Sequence, residues 1–186
     1  MKTLIINGSP RKGGDTEALI NALTAQLEGE IRTIGWRDDI SPCVDCRWCW
    51  ENDGCAIRDG MQAVYEYWRE CDNVVFASPV WFSSLSGPAL NIASRFQMSF
   101  IARFRRKIPS PAVKNGVLIL VGAQPGTEAI PEQNARTILR NMNVKVPLIA
   151  VIKSMNTDNV PAKDDMAALE MAQRAAMELN REGTLG

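Results

Sequence analysis

The chain has 186 residues, of which 46% are hydrophobic and 23% charged, values typical of one soluble globular domain. Lysine plus arginine and aspartate plus glutamate number 21 each, so the net charge is +0 and no basic excess favours a nucleic-acid partner. The absence of histidine excludes Ser-His-Asp and Cys-His catalytic machinery and histidine zinc sites.

The N-terminus begins with an apolar segment rather than a signal peptide, and no apolar run is long enough to span a bilayer. We therefore expect a cytoplasmic protein with no membrane partner. Because thiols stay reduced in the cytosol, the five cysteines favour metal or redox chemistry over structural disulfides.

Short apolar runs alternate with segments of helical periodicity. The predicted strands are Leu4–Asn7, Glu30–Trp36, Asn73–Ser78, Val117–Gly122 and Val146–Lys153. The predicted helices are Thr16–Glu28, Met61–Cys71, Gly87–Met98, about Glu132–Met142 and about Lys163–Arg181. This alternation predicts an α/β fold, a flavodoxin-like doubly wound sheet of five parallel strands in the order 2-1-3-4-5 with helices on both faces.

The whole chain, residues 1–186, is predicted to form one domain with a cysteine-rich insertion at about residues 37–59, where no period is present. Pro147 implies that the last strand lies at an edge, or that the proline is at the end of the strand. In such sheets ligands bind at the carboxyl ends of the strands, near the point where the strand order reverses. The loops after the first, third and fourth strands are therefore the candidate site.

The loop after the first strand, Gly8–Thr16, has the composition of a phosphate-binding turn. Its glycines allow tight turns that direct successive N–H groups at an anion, and the next helix adds its positive N-terminal end. Ser9 and Thr16 add hydroxyl donors, and Arg11 adds a charge-assisted donor. The loop matches neither the Walker pattern nor G-x-G-x-x-G. The alternative is a ligand-free turn in which Asp15 caps the helix.

Two further loops are expected at the same edge of the sheet. After the third strand, Ser78–Ser84 carries Trp81 and Phe82, which either contact a planar ring or belong to the core beneath the next helix. After the fourth strand, Gly122 and Ala123 are small enough to permit backbone contact with a ligand.

The chain resembles the NAD(P)H-dependent FMN reductases in two motifs, Asn-Gly-Ser-Pro-Arg-Lys-Gly-Gly-Asp-Thr after the first strand and Ser-Pro-Val-Trp-Phe after the third. Its cysteine loop, from Pro42 to Cys55, is similar to that of the branch called iron–sulfur flavoproteins. The resemblance implies a flavodoxin-like fold, non-covalently bound FMN, NAD(P)H as co-substrate, and a homodimer or homotetramer with flavin sites near subunit contacts.

The resemblance also implies which residues bind the flavin. The phosphate would be held by Ser9, Arg11, Gly14, Asp15 and Thr16. The isoalloxazine ring would be contacted by Pro79, Val80, Trp81, Phe82 and Ser83, and its pyrimidine side by Gly122 and Ala123. No side chain is expected to be catalytic, because FMN carries the hydride chemistry.

Three positions depart from the family pattern. Asp15 stands where the family usually has Asn and would place a carboxylate beside a phosphate, so we expect it to turn inward as the helix cap. Trp81 replaces a Tyr, which conserves stacking. Only Arg95 remains of a Lys-x-x-Asp-Arg pattern on the following helix, which leaves the contacts of that helix open.

Four cysteines lie close together in the aperiodic segment, namely Cys43, Cys46, Cys49 and Cys55. This compact C-x2-C-x2-C-x5-C spacing can wrap one [4Fe–4S] cluster, whereas four-cysteine zinc sites more often use two separated C-x2-C pairs. Three interpretations stay open, namely a cluster, a zinc ion, or free redox-active thiols. Trp48 and Trp50 flank Cys49 and would either shield a cluster or fill a subunit interface.

Two other features are expected to be structural. Cys71 lies at a helix end before a buried strand, so we expect an inert, packed thiol. A local basic run is formed by Arg103, Arg105, Arg106 and Lys107. A solvated face is its default interpretation, and recognition of the NADPH 2′-phosphate is the alternative.

These features predict an FMN-dependent oxidoreductase that passes electrons from NAD(P)H through FMN, with or without a [4Fe–4S] cluster, to a quinone, a flavin or another small-molecule or protein acceptor. One alternative is an FMN-binding electron carrier without NAD(P)H activity, although a net charge of +0 does not favour a charged docking face. The other is a redox or metal sensor that uses the cysteine loop as its switch, although we expect no second domain to receive the signal.

Overall fold

The computed structural model describes residues 1–184 and contains the predicted alternation of strands and helices. The strands are β1 (Lys2–Asn7), β2 (Glu30–Gly35), β3 (Asn73–Trp81), β4 (Ser84–Leu85), β5 (Asn115–Val121) and β6 (Ala150–Ser154). The α-helices are α1 (Asp15–Thr24), α2 (Met61–Glu70), α3 (Gly87–Ser94), α4 (Gln97–Phe104), α5 (Ala129–Asn141) and α6 (Met166–Thr184). Short 3₁₀ turns lie at Trp48–Trp50 and Ala162–Asp164.

Five of the strands are parallel and lie in the spatial order β2-β1-β3-β5-β6. This differs from the predicted order 2-1-3-4-5 only through a sixth strand that the prediction did not include. That strand, β4, has two residues and pairs antiparallel with the end of β3. Because the strand order reverses between β1 and β3, the loops that follow these two strands flank a crevice at the carboxyl edge of the sheet.

Each parallel strand supplies alternate residues to two cores, because successive side chains of a strand point to opposite faces. Leu4, Ile6 and Phe76 lie in the core on the side of α2, α3 and α5. Ile5 and Val75 lie in the other core, on the side of α1 and α6. All five are completely buried. The unbroken apolar run of β1 is thus explained by burial on both faces of the sheet.

Two strand boundaries differ from the predicted ones by three or more residues, and the others agree within two. The third strand continues to Trp81 instead of ending at Ser78, because Phe82 and Ser83 turn the chain back to pair with β3 as β4. The last strand begins at Ala150 instead of Val146, so Pro147, which has no N–H to donate, lies before the strand.

The helix predicted over Gly87–Met98 is interrupted at Arg95 and Phe96 and forms α3 and α4. The N–H of Arg95 bonds to Ile92 O at 3.1 Å, a tight turn that closes α3. The predicted α6 begins and ends three residues too early, and the predicted α1 extends four residues too far at its C-terminal end. Within residues 1–184 no helix has the length and apolar character needed to cross a bilayer.

Candidate active site

The loop after β1 packs closely against β3 and α3. Gly8 donates its N–H to Ala77 O at 2.8 Å, and a Cβ at this position would lie 2.5 Å from the Cβ of Ala89. Ser86 Oγ donates to Gly8 O at 2.7 Å and accepts the N–H of Ala89 at 3.2 Å. The buried hydroxyl of Ser86 therefore caps α3 and anchors the β1 loop. A side chain at Gly8 would push the β1 loop away from α3.

The start of α1 offers backbone donors to an anion. Gly14 is the N-cap, and no side chain caps the helix. The N–H groups of Asp15, Thr16 and Glu17 belong to the first turn and have no acceptor within the helix. Gly13 has a left-handed φ of +66°, which turns the chain into the helix. Together with the helix dipole, these donors form an arrangement that binds phosphate groups.

Asp15 turns inward, as expected, but it does not cap α1. Its side chain, 15% exposed, forms an ion pair with Arg11 and accepts the N–H of Ala162 at 2.9 Å. The predicted capping role is therefore wrong, because the carboxylate instead ties the β1 loop to the turn that precedes α6. The pairing with Arg11 also compensates the negative charge that Asp15 places beside the anion site.

The three loops predicted to form the site meet at one cavity of about 270 Å³ at the carboxyl edge of the sheet. It is lined by nine of the twelve residues that the resemblance assigns to the flavin, namely Ser9, Arg11, Asp15, Thr16, Pro79, Val80, Trp81, Gly122 and Ala123. Pro10, Val121 and Thr157 complete the lining. Thr157 follows β6 and donates its N–H to Gly122 O at 3.1 Å. Sequence analysis missed it, since no glycine or charge pattern marks that loop.

The other three predicted residues, Gly14, Phe82 and Ser83, do not line this cavity. A Cβ at Gly14 would lie 2.6 Å from Arg11 Nε, so this glycine leaves room for the arginine. Phe82 and Ser83 form the two-residue turn between β3 and β4, with left-handed φ values of 51° and 55°. Phe82 is completely exposed and Trp81 is 43% exposed. Placing these two aromatic residues in the core is therefore wrong.

The four clustered cysteines line one small cavity, of about 30 Å³. All are free thiols; Cys43 and Cys46 are exposed, whereas Cys49 and Cys55 are partly buried. Burial, reinforced by the neighbouring cysteines, raises the pKa of Cys49. Within residues 1–184 no group of three or more His, Cys, Asp or Glu side chains is placed to hold a single metal ion. The four thiols therefore share one pocket but are not arranged around a single ion.

Arg95 holds the two ends of the cysteine segment. Its side chain is completely buried and forms a bidentate pair with Asp59, at 2.5 and 3.1 Å. It also donates to Ser41 O at 2.8 Å and to Ile57 O at 3.4 Å. Burial raises the pKa of Asp59, but hydrogen bonds from Arg95 and from the N–H groups of Ser41 and Met61 outweigh this effect and lower it. The contacts of α3, which the sequence left open, are therefore made with the cysteine segment through Arg95 at the end of this helix.

Two residues of the basic run also contact the cysteine segment. The guanidinium of Arg105 lies 4.2 Å from the ring centroid of Trp50. Arg106 donates to Asn52 O and to the carboxylate of Asp53, both at 2.7 Å. Arg106 is therefore held by the cysteine segment rather than solvated, whereas Arg105 is exposed, as a solvated face predicts. Recognition of the NADPH 2′-phosphate by this run stays a prediction.

Cys71 is packed as predicted. Its side chain is 2% exposed, and its thiol donates to Trp68 O at 3.4 Å. Burial raises its pKa to about 11, against the opposing effect of the nearby Lys114 ammonium. Since the thiolate is the nucleophilic form, Cys71 is unreactive in the folded chain at neutral pH.

Comparison with known proteins agrees with this geometry. The family model described as NADPH-dependent FMN reductase matches residues 1–157. An iron-sulfur flavoprotein of Methanosarcina thermophila is 28% identical over 186 aligned residues, which cover 96% of this chain and 93% of that protein. An iron-sulfur flavoprotein of Methanocaldococcus jannaschii is 37% identical over 90 residues, which cover 46% of this chain. That match spans 47% of the relative, about half of its length.

Solved structures share the fold. The NAD(P)H:quinone oxidoreductase from Methanothermobacter marburgensis matches with a TM-score of 0.65 over 96% of both chains. The sequence identity is 15%, so this likeness concerns the fold alone.

Proposed function

The chain belongs to the NADPH-dependent FMN reductase family, and from this premise we propose that it passes electrons from NAD(P)H through bound FMN to a second acceptor, a quinone, a flavin or another molecule. It is an oxidoreductase of that family, with FMN as cofactor and NAD(P)H as co-substrate. FMN supplies the hydride and electron chemistry when it is bound. The observation that carries the proposal is the single cavity at which residues of all three predicted loops meet.

The β1 loop and the start of α1 fit the phosphate of FMN. The N–H groups of the first helical turn lack intrahelical acceptors, and Thr16, only 2% exposed, lies among them beside the cavity. Ser9 and Arg11 line the same cavity and would complete the donor set. Because Gly14 leaves space that a Cβ would take from Arg11, the loop can keep its cation next to the phosphate.

The ends of β3 and β5 would hold the ring. Pro79, Val80 and Trp81 form one apolar wall of the cavity, and Gly122 and Ala123 form another. A Cβ at Gly122 would lie 2.5 Å from the terminal methyl carbon of Met155, so glycine lets this wall pack closely against Met155. The role of these residues is to orient the ring and exclude water from its face.

The cysteine pocket is proposed to hold a [4Fe–4S] cluster, bound by Cys43, Cys46, Cys49 and Cys55. The four thiols share one cavity, and two of the similar proteins are called iron-sulfur flavoproteins. Each thiolate of such a cluster binds a different iron, so the sulfur atoms lie farther apart than around one zinc ion. The compact C-x2-C-x2-C-x5-C sequence spacing suits the cluster better than zinc. When bound, the cluster supplies single-electron transfer.

A homodimer or homotetramer is also proposed, with contacts near the flavin. Trp36, Trp81 and Phe82 are 50%, 43% and fully exposed, and the two tryptophans line cavities on either side of the β1 loop. Large apolar side chains exposed together are typical of subunit contacts. A cytoplasmic location stays a prediction.

Anaerobic rapid mixing of the FMN-loaded protein with NADPH or NADH tests the activity. We expect loss of the oxidised-flavin absorption, followed by its return when a quinone or free flavin is added. An electron carrier would keep its oxidised spectrum with both nucleotides and lose it only with a chemical reductant. A sensor would bind little FMN and change oligomeric state when the cysteine loop is oxidised.

A further inference from the structure

Arg95 carries a buried hydrogen-bond donor that has no acceptor among the described residues. A guanidinium has five N–H donors. The two terminal nitrogens of Arg95 donate to Ser41 O, to Ile57 O and to both carboxylate oxygens of Asp59. These bonds account for four donors. The fifth, at Nε, is buried and has no partner within residues 1–184. A buried donor left unpaired destabilises the fold unless a bound group accepts its hydrogen bond.

The side chain of Arg95 lies on the wall of the cysteine cavity. The same cavity is lined by all four clustered cysteines. Burial opposes the charge of Arg95, but the hydrogen bond to Asp59 and the neighbouring Tyr65 and Cys55 outweigh it and raise the pKa of the guanidinium. The charge of Arg95 is therefore balanced by Asp59, and the buried wall of the cavity keeps one N–H left to donate.

Arg47 also lines the cavity, but its environment is different. Its side chain is 62% exposed, lies 3.8 Å from Asp45 and stacks on the ring of Trp50 at 4.8 Å. Its charge is therefore screened by solvent, whereas that of Arg95 is not. This makes Arg47 a matched control for the effect of a cation on the same cavity.

We propose that Arg95 Nε donates a hydrogen bond to a sulfur atom of the cluster and thereby raises its reduction potential. This inference rests on the proposed cluster. Reduction adds negative charge to the cluster, so an N–H donor directed at a sulfur stabilises the reduced form more than the oxidised form. Hydrogen bonds to the sulfurs are among the features that set the potentials of iron–sulfur centres. Arg95 is thus a residue that tunes the cluster, in addition to fastening the loop through Asp59.

The first test is made on the wild-type holoprotein. The protein is labelled with ¹⁵N-arginine, reduced anaerobically and examined by pulsed electron paramagnetic resonance. We expect a ¹⁵N coupling to the reduced cluster that persists in Arg47→Gln and is absent from Arg95→Lys. Lysine keeps a positive charge for Asp59 but has no Nε–H in that position. If Arg95→Lys does not fold, the wild-type protein and Arg47→Gln still decide the question.

The second test measures the midpoint potential of the cluster. We expect reduction to become about tenfold less favourable in Arg95→Lys, equal to about 59 mV for one electron, and to change little in Arg47→Gln. A cluster with no ¹⁵N coupling in the wild type, or a coupling lost in Arg47→Gln, would overturn the role of Arg95 and leave the cluster intact. Iron and sulfide are measured on the same samples. Their absence from anaerobically purified protein would overturn both the cluster and this inference.

Discussion

Single residues in this site serve two purposes at once, and Asp15 shows this most clearly. Its carboxylate ties the β1 loop to the turn before α6 through Ala162, and it also pairs with Arg11. The first contact stabilises the fold. The second pairs Arg11 with a carboxylate, so a bound phosphate would compete with Asp15 for the arginine. Stability and cofactor affinity are therefore expected to respond differently to a change of charge at this position.

We expect Asp15→Asn to tighten FMN binding about fivefold, because it removes a repulsion of about 1 kcal/mol at the distance of neighbouring groups in water. The amide oxygen can still accept the N–H of Ala162, so thermal stability should change little. FMN fluorescence quenching measures the affinity. Glu170→Gln, which removes an exposed charge from α6, is the control and should have no effect. Weaker binding in Asp15→Asn would show that Asp15 positions Arg11 for the phosphate.

The raised pKa of Cys71 predicts how the free energy of unfolding changes with pH in the alkaline range. Its folded pKa of about 11 lies above the ordinary value of 9.0, so the folded chain favours the neutral thiol. This contribution is fully present below pH 9 and is lost as the pH rises through 11, with a total of about 3 kcal/mol. Tyr67, whose pKa burial raises to about 12, acts in the same direction at higher pH.

Urea unfolding of the apo-protein between pH 8 and 11 measures this effect. We expect the free energy of unfolding to fall over that range, and we expect Cys71→Ala to remove most of the fall. An equal fall in Cys71→Ala would assign the alkaline instability to other groups.

At the scale of elements, α3 connects the two candidate centres. Ser86 at its start is bonded to the β1 loop, and Ser94 and Arg95 at its end are bonded to the cysteine segment. A helix of eight residues is about 12 Å long. A short, rigid helix therefore fixes the distance between the flavin cavity and the cysteine pocket, whereas a long loop would let it vary.

Ser86→Ala tests this connection. It removes the cap of α3 and leaves Gly8 O without its buried donor, so we expect a loss of about 2 kcal/mol in the free energy of unfolding. FMN affinity should fall as well, because the β1 loop is no longer held against α3. The control is Ser110→Ala, at a partly buried serine outside the flavin cavity, which should change neither quantity. Unchanged FMN affinity in Ser86→Ala would mean that the loop keeps its shape without α3.

The elements that sequence analysis predicted correctly are those decided by local pattern. The apolar runs of β1 and β5 and the glycine-rich turn before α1 carry their own signals. The turn at Phe82 and Ser83 carries no glycine, so β4 could not be foreseen from turn chemistry. The break between α3 and α4 follows from Arg95, whose partner Asp59 is 36 residues away in sequence. Such a pairing is visible only in the folded chain.

Contacts between residues distant in sequence also explain which parts of the candidate site could not be predicted. Nine of the residues predicted to bind the flavin line one cavity, and they lie on loops whose motifs could be read directly from the sequence. Thr157 joins them only because β6 lies beside β5 and brings its loop to Gly122. Similarly, the contacts of Arg106 could not be predicted from the basic run, since its partners Asn52 and Asp53 lie about fifty residues earlier in the sequence.

At the scale of the whole molecule, we propose two redox centres on one sheet, a flavin in the crevice between the loops and a cluster in the cysteine pocket. The family shows that FMN is the cofactor, and the pocket, the similar proteins and the unpaired Arg95 donor support the proposed cluster. A carrier without NAD(P)H activity would share both centres. A cysteine-loop sensor would need neither the β1 loop nor the aromatic wall at Trp81.

The most direct test is an absorption spectrum of anaerobically purified protein, with FMN, iron and sulfide quantified on the same sample. The account predicts flavin bands, a broad iron–sulfur absorption, one FMN per chain and about four irons per chain. Flavin without iron would refute the cluster and leave an FMN reductase whose loop cysteines need another explanation. Protein that contains no flavin and does not bind added FMN would contradict the central claim.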